Sequence, residues 1–218
     1  MGVEPFIYVS TTKREPMPIA YHAIFGAYGF WLPNDPRGSL SKFVSSRELF
    51  RFGKATPVDW VTSSTSRKAH NVELRVKAKE ALKYPPVVFN GIQARAVGRG
   101  FRVACEKSGY EIWACAILPE HVHVVVRRHA QQIERIVGHL KGRATQQLLK
   151  EGLHPLAHCG NAPSEPPPSV WCEKCWKVAL DDDQDVRHAI AYVQRNPVKE
   201  GKKAQLWSFV KRYGAGQG

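Results

Sequence analysis

Long apolar runs are absent from this chain. Nowhere do its 218 residues approach the ~18 consecutive apolar residues that a bilayer-spanning helix needs. Residues 1–19 also lack the apolar centre of a secretory leader, so neither membrane insertion nor export is predicted and the cytoplasm is the expected compartment. Cysteine is scarce: there are five, an odd number in a chain long enough to stand without staples. Reduced thiols are therefore expected, with a metal role open to some of them. Acidic residues are few as well, 19 against 32 lysines and arginines, for a formal charge of +13 and a sequence pI near 9.7. Such an imbalance points to a partner carrying many phosphates. No internal repeat is visible, and 24.5 kDa suits one core with some elaboration.

What is present can be read along the chain. Residues 1–19 are expected to form a loosely held arm, 20–200 the folded domain and 201–218 a tail. Tyr21 to Tyr28 reads as a strand that Gly26 interrupts and Gly29 ends. Trp31 to Ser39, with two prolines and a glycine, reads as an ordered loop. Residues 40–70 have no assignable pattern. Val72, Val76 and Leu82 trace a helical stripe that Pro85 and Pro86 stop. A second helix runs from Gly91 to Lys107, with Ile92, Ala96, Val97, Phe101 and Ala104 inward, Arg95 and Arg99 outward, and Ser108-Gly109 as its close.

Tyr110 to Leu118 and His121 to Arg128 then form a predicted antiparallel hairpin in the centre of a sheet, turned by Pro119-Glu120. Ile133 to Lys150 has helical spacing, its polar side carrying Arg135, His139, Lys141 and Arg143. That side is either a DNA face or a solvated one. Residues 152–169, rich in proline, read as a loop. Trp176 to Leu180 is a last strand, and Asp181-Asp182-Asp183 suits the start of a helix. Pro197 is expected to end that helix at Asn196. Trp207, Phe209 and Tyr213 in the tail are expected to dock on the core. The order suggests an α+β fold: a ferredoxin-like antiparallel sheet with helices on one face and one helix added.

Two stretches carry chemistry. His121 and His123 stand two apart on a strand, so their imidazoles leave on the same face and make half a metal site. About seventy residues on, Tyr192 and Asn196 stand four apart on a helix and share a face. Were the two faces to meet, two imidazoles and one amide oxygen would leave open positions on a divalent ion, a donor set suited to Mg²⁺ or Mn²⁺. The ion would hold a phosphodiester for the tyrosine to attack. A tyrosine ester conserves the energy of the broken strand where water would lose it, which points to strand transfer.

These stretches resemble a known family. Ala116-Ile117-Leu118-Pro119-Glu120-His121-Val122-His123 is similar to the His-hydrophobic-His (HUH) motif of single-tyrosine transposases, and Tyr192 through Gly201 to their catalytic-tyrosine motif. Tyr21-His22, the Gly29 to Gly38 stretch, and Val170-Trp171 before Trp176-Lys177-Val178 resemble the REP-associated tyrosine transposases, related to the insertion-sequence-200 group. The resemblance implies that His121 and His123 bind a divalent metal, that Asn196 completes its ligation and that Tyr192 is the nucleophile. It further implies cleavage of single-stranded DNA beside a hairpin, leaving a 5′-phosphotyrosine and a free 3′-OH. The alternatives are a replication-initiator or relaxase-like nickase, and a hairpin-DNA-binding protein that no longer cuts. Related enzymes build the site within one chain or swap the tyrosine helix between two, so monomer and homodimer both stay open.

Three further expectations complete the sequence reading. His188, one turn before Tyr192, is a candidate base. Arg95, Arg99, Arg135, Lys141 and Arg143 are candidate DNA contacts. Cys172 and Cys175, spaced as CxxC, are candidate ligands of a structural zinc with His154, His158 or Cys159.

Overall fold

The computed structural model describes residues 17–30, 72–160 and 165–214. The Trp31 to Ser39 loop, most of the N-terminal arm and residues 40–70 lie outside the described residues. The order of elements is β1 (Ala20–Gly26), α1 (Val72–Glu80), α2 (Gly91–Ser108), β2 (Ile112–Ile117), β3 (His121–Arg127), α3 (Ile133–Lys150), β4 (Trp176–Leu180) and α4 (Asp183–Lys199).

The four strands form one sheet in the order β2-β3-β1-β4, and the three pairings are all antiparallel. With α2 between β1 and β2 and α3 between β3 and β4, this is the expected ferredoxin-like arrangement. β2 lies at an edge of the sheet, not in its centre as the hairpin suggested. It is nonetheless buried along its whole length, because helices cover both faces and the C-terminal segment covers its outer side. Val210 bridges to Ile112, and Lys211 N–H donates to the Ile112 carbonyl at 2.8 Å.

The strands alternate between two apolar layers. Ala23 and Phe25 of β1 with Val122, Val124 and Val126 of β3 face α2 and α3. Ala20 of β1, Val125 of β3 and Leu180 of β4 face Val186, Ala189 and Val193 of α4. A bulge in β2 shifts the register between Ile112 and Ala114. It lets Trp113 and Ala114, neighbours in sequence, both join the α4 layer.

The helix ends follow from local chemistry. The Asn90 side chain accepts from the Ile92 and Gln93 N–H groups at 2.9 Å, and the Gln93 amide oxygen accepts from Asn90 N–H at 3.0 Å. This reciprocal cap satisfies donors that the helix itself cannot. At the other end Gly109 sits at φ 68°, the left-handed conformation that glycine adopts without strain. Ile92 was expected inward but is 53% exposed, since the buried run of α2 begins only at Ala96.

α4 starts where the aspartates predicted, with Asp182 accepting from Asp185 N–H at 2.8 Å. It does not stop at Asn196, and Pro197 lies inside it. Proline disfavours a helical residue before it as a preference, not a prohibition. Here both Asn196 and Pro197 are buried, and the following N–H groups still find acceptors, Glu200 on Asn196 and Lys202 on Pro197. The tail aromatics dock as expected: Phe209 is buried in the larger layer, and the Tyr213 hydroxyl donates to Asp183 at 2.6 Å.

α2 and α3 touch most closely at Gly100. A Cβ there would meet the Ala144 Cα and the Arg143 carbonyl oxygen at 2.6 Å, and backbone cannot swing aside as a flexible side chain can. Gly100→Ala is expected to force the helices apart and to destabilise the fold by about 1–3 kcal/mol. Urea unfolding should show the loss as a lower midpoint at unchanged slope.

Candidate active site

The β1–β3 register places Ile24 opposite His123 and Gly26 opposite His121. His121, His123 and His22 consequently leave the sheet on the side of α4. The His121 and His123 rings lie 5.0 Å apart between centroids, and His121 stacks on Phe30 at 4.6 Å. α4 crosses above them with three residues at four-residue spacing. The Tyr192 ring contacts His123 at 5.7 Å and His22 at 5.8 Å. Glu200 Oε1 stands 3.9 Å from His121 Nε2. Asn196, midway between them on the same stripe, is buried. The tyrosine and both histidines of one chain thus meet.

His22 is the residue that sequence reasoning left without a role. Its Nε2 lies 3.0 Å from His123 Nδ1, so one of these nitrogens carries a proton and the other accepts it. Burial lowers the His22 pKa to about 4. Burial, reinforced by His121 and His22, also drives that of His123 well below the ordinary value. Both rings are neutral at pH 7. If His123 donates from Nδ1, its Nε2 keeps a lone pair for an ion, and His22 fixes that tautomer by accepting. In the sequence His22 stood out only as part of the Tyr21-His22 pair that resembles a family motif, with no contact assigned to it; the pairing that brings it to His123 is not local.

The donor set fits an ion that must also hold a substrate. Among the described residues no group of three or more His, Cys, Asp or Glu side chains is arranged to hold a metal. An ion at this site would draw on the His121 and His123 imidazoles and the Asn196 amide, an open set and not a closed cage. Tyr192 stays 41% exposed, so its side chain is reached from solvent. Lys199 Nζ lies 5.1 Å from the centre of its ring.

Other candidates fall elsewhere. His188 is exposed on α4, with no described contact to Tyr192. α2 and α3 pack on the face of the sheet away from the histidines, so the basic residues of these helices do not share the site's face. Arg95 and Arg135 are exposed. Arg99 is engaged with Glu151, its Nε donating at 2.7 Å, and this pairing holds the Glu151 carboxyl down at about 2. Arg143 donates to His139 Nε2 at 3.1 Å and to Gln146 at 2.9 Å. Lys141 corrects the predicted DNA face. It is buried, and its ammonium donates to the carbonyls of Cys172, Glu173 and Lys174 at 2.6, 3.2 and 3.2 Å. Burial lowers its pKa.

That ammonium fills the inside of the CxxC turn. The Cys172 thiol donates to the Ala27 carbonyl at 2.9 Å, and burial pushes the Cys175 thiol up, both marks of protonated sulfur. His154 is buried with its Nδ1 accepting from Leu156 N–H at 3.3 Å. His158 is exposed and Cys159 ends a short 3-10 turn. No three of these five residues are gathered into a metal-holding group.

Because burial lowers the folded-state pKa of His22 to about 4 while the unfolded imidazole titrates at ~6.5, the unfolded chain binds more protons between those values. Stability is full above about pH 6.5 and is lost as pH falls towards 4, by up to on the order of 3 kcal/mol for this one group. His22→Phe should flatten that part of the pH dependence, read by urea unfolding at pH 7 and pH 4.5.

The family model described as "Transposase IS200 like" matches residues 61–162, a span that holds His121 and His123 but not Tyr192. A curated protein of Haemophilus influenzae, provisionally named a REP-associated tyrosine transposase, is 27% identical over 103 residues, 46% of this chain. The match spans 57% of that relative's length. Among solved structures, a REP-associated tyrosine transposase bound to a REP hairpin is similar over 92% of this chain and 81% of its own, at 16% identity and a TM-score of 0.44. A Deinococcus radiodurans protein provisionally titled a transposase is similar over 88% of this chain and 97% of its own, at 15% identity and 0.38. Residues 61–162 of this chain are thus similar to IS200-like transposases, which bears out the resemblance read from its motifs.

Proposed function

We propose that this protein is a divalent-metal-dependent transposase that cleaves and rejoins single-stranded DNA beside a hairpin, with Tyr192 as the nucleophile. The observation that carries the reading is the contact of the Tyr192 ring with His22 and His123 across the α4–sheet seam. The relatives named above, one of them bound to a REP hairpin, agree with a DNA substrate, as does the formal charge of +13.

His121 and His123 would hold the ion with Asn196, and His22, accepting the proton of His123 Nδ1, orients the second imidazole. When bound, the ion neutralises charge on the non-bridging phosphate oxygens. The rest falls to side chains. Tyr192 attacks phosphorus in line through its phenol oxygen, giving up the phenol proton to solvent, while the bond from phosphorus to the 3′ oxygen breaks and that oxygen takes a proton back from solvent and leaves as a hydroxyl. The phosphate stays on Tyr192 with the 5′ end of the broken strand. A 3′-OH from another end reverses the step and frees the phenol. Lys199, placed over the Tyr192 ring, offers its charge to the phosphate as it arrives.

Tyr192→Phe should give no covalent adduct with a labelled single-stranded stem-loop and Mn²⁺, while DNA binding and its dependence on salt persist. Adduct formation by this variant would remove Tyr192 from the chemistry. Bound but never cleaved DNA with the unaltered protein would support the non-cutting reading instead. His121→Ala should abolish metal-dependent cleavage in the same gel assay, and undiminished cleavage would return that histidine to a structural role.

A further inference from the structure

A groove of about 530 Å³ opens beside the active site and takes no part in the chemistry described above. Its floor is apolar: Phe89, Ile117 and Trp207. Its rim carries three cations, Arg95, Lys202 and Lys203, all exposed. No acidic residue lines it, and among the described residues none of the three cations has an acidic partner. Leu206, at 97% exposure, projects at its edge. The start of α2 borders the groove, but its N–H groups at Ile92 and Gln93 are already taken by Asn90, so the site does not rest on a helix end.

The groove is built, not incidental. The Gln205 side chain donates to the Ile117 carbonyl and accepts from Ile117 N–H, both at 2.8 Å, which fastens the 202–207 segment to the edge of β2. Trp207 lies against Gly98, where a Cβ would come within 2.4 Å of its ring. Two of its lining residues adjoin the active site along the chain. Pro119 precedes His121 by two residues, and Lys202 follows Glu200 by two, spans of at most ~7 Å of chain each. His121 and Glu200 are themselves in contact at 3.9 Å.

A nucleotide combines a flat apolar base with an anionic backbone, and this groove offers an apolar floor beneath a cationic rim. Its size falls within the ~300–1,000 Å³ common to ligand sites. Stacking of a base on an accessible aromatic ring such as Trp207 is sequence-tolerant. We propose that the groove holds a nucleotide of the unpaired strand adjoining the scissile phosphate, with Lys202 and Lys203 on its backbone phosphates. The inference rests on the DNA-transferase reading given above and adds to it the place where the unpaired strand is gripped.

The test compares two probes on the full chain carrying Tyr192→Phe, so that no cleavage intervenes: a DNA stem-loop with a short randomised single-stranded extension, and the same stem-loop blunt-ended. The parent should bind the extended probe more tightly. Adding Lys202→Ala and Lys203→Ala should weaken binding of the extended probe about ten-fold and lower the slope of log affinity against log salt by about one to two. Binding of the blunt probe should stay as it was. Lys202→Gln with Lys203→Gln, which keeps the side-chain stems, should behave likewise and replaces the alanine pair if far-UV circular dichroism shows that pair unfolded. Unchanged preference for the extension in the lysine variants would overturn the proposal while leaving the transferase reading intact. Equal weakening on both probes would overturn it too, by assigning the lysines to the duplex. A parent that binds neither probe would fail the transferase reading, and this proposal with it.

Discussion

The pairing of β1 with β3, Ile24 against His123 and Gly26 against His121, is the constraint on which the rest depends. Side chains alternate along a strand, so a slip by one residue would send the imidazoles to the other face of the sheet. There they would meet Phe101, Ile136 and Leu140 instead of α4, and the rings would be buried without polar partners. The same slip would expel Phe25, Val122 and Val124 from the larger apolar layer. Packing on one face therefore enforces the register that builds the site on the other.

The two faces are held by different means. On one, α2 and α3 pack backbone to backbone at Gly100 and Ala144, and Lys141 ties α3 to the 172–174 turn. Trp171 seals the same region, its Nε1 donating to the Lys141 carbonyl at 3.2 Å and its ring against Phe25 and Phe89. On the other, α4 rests on a narrower layer to which the bulge in β2 adds Trp113 and Ala114. Its first turn is pinned by Tyr213 on Asp183, with the Tyr213 ring on Trp113 at 4.5 Å. The helix that carries the phenol is thus fixed from the C-terminal segment as well as from the sheet.

Much of this was legible before any coordinates, and the reasons differ by residue. β-forming residues bounded by turn residues located β1, β3 and β4 to within a residue or two, and period-two alternation put His121 and His123 on one face, because both inferences need only the strand itself. Helical spacing likewise grouped Tyr192 with Asn196. Strand partnership was not legible: nothing local says that β1 lies beside β3, so His22 remained part of a motif with no contact assigned to it. Lys141 was misplaced because spacing identifies the polar side of a helix but not whether a long flexible stem folds inward to carbonyls. Asn196 was expected at a helix end because the rule for residues before proline is a local preference, and burial of both residues outweighs it. β2 was expected at the centre because its residues are apolar on both faces, a pattern that a covered edge strand shares.

That cover has a bearing on self-association. An exposed strand edge invites another chain to lengthen the sheet, yet beside β2 the Gln205 amide takes up both backbone groups of Ile117, and the chain near Val210 and Lys211 takes up Ile112. A side-chain amide here does the work of a neighbouring peptide. Two copies could not join through this margin unless each first peeled away residues 205–211, which would also strip the groove of its Trp207 floor. Any dimer that leaves that floor intact must use some other part of the surface.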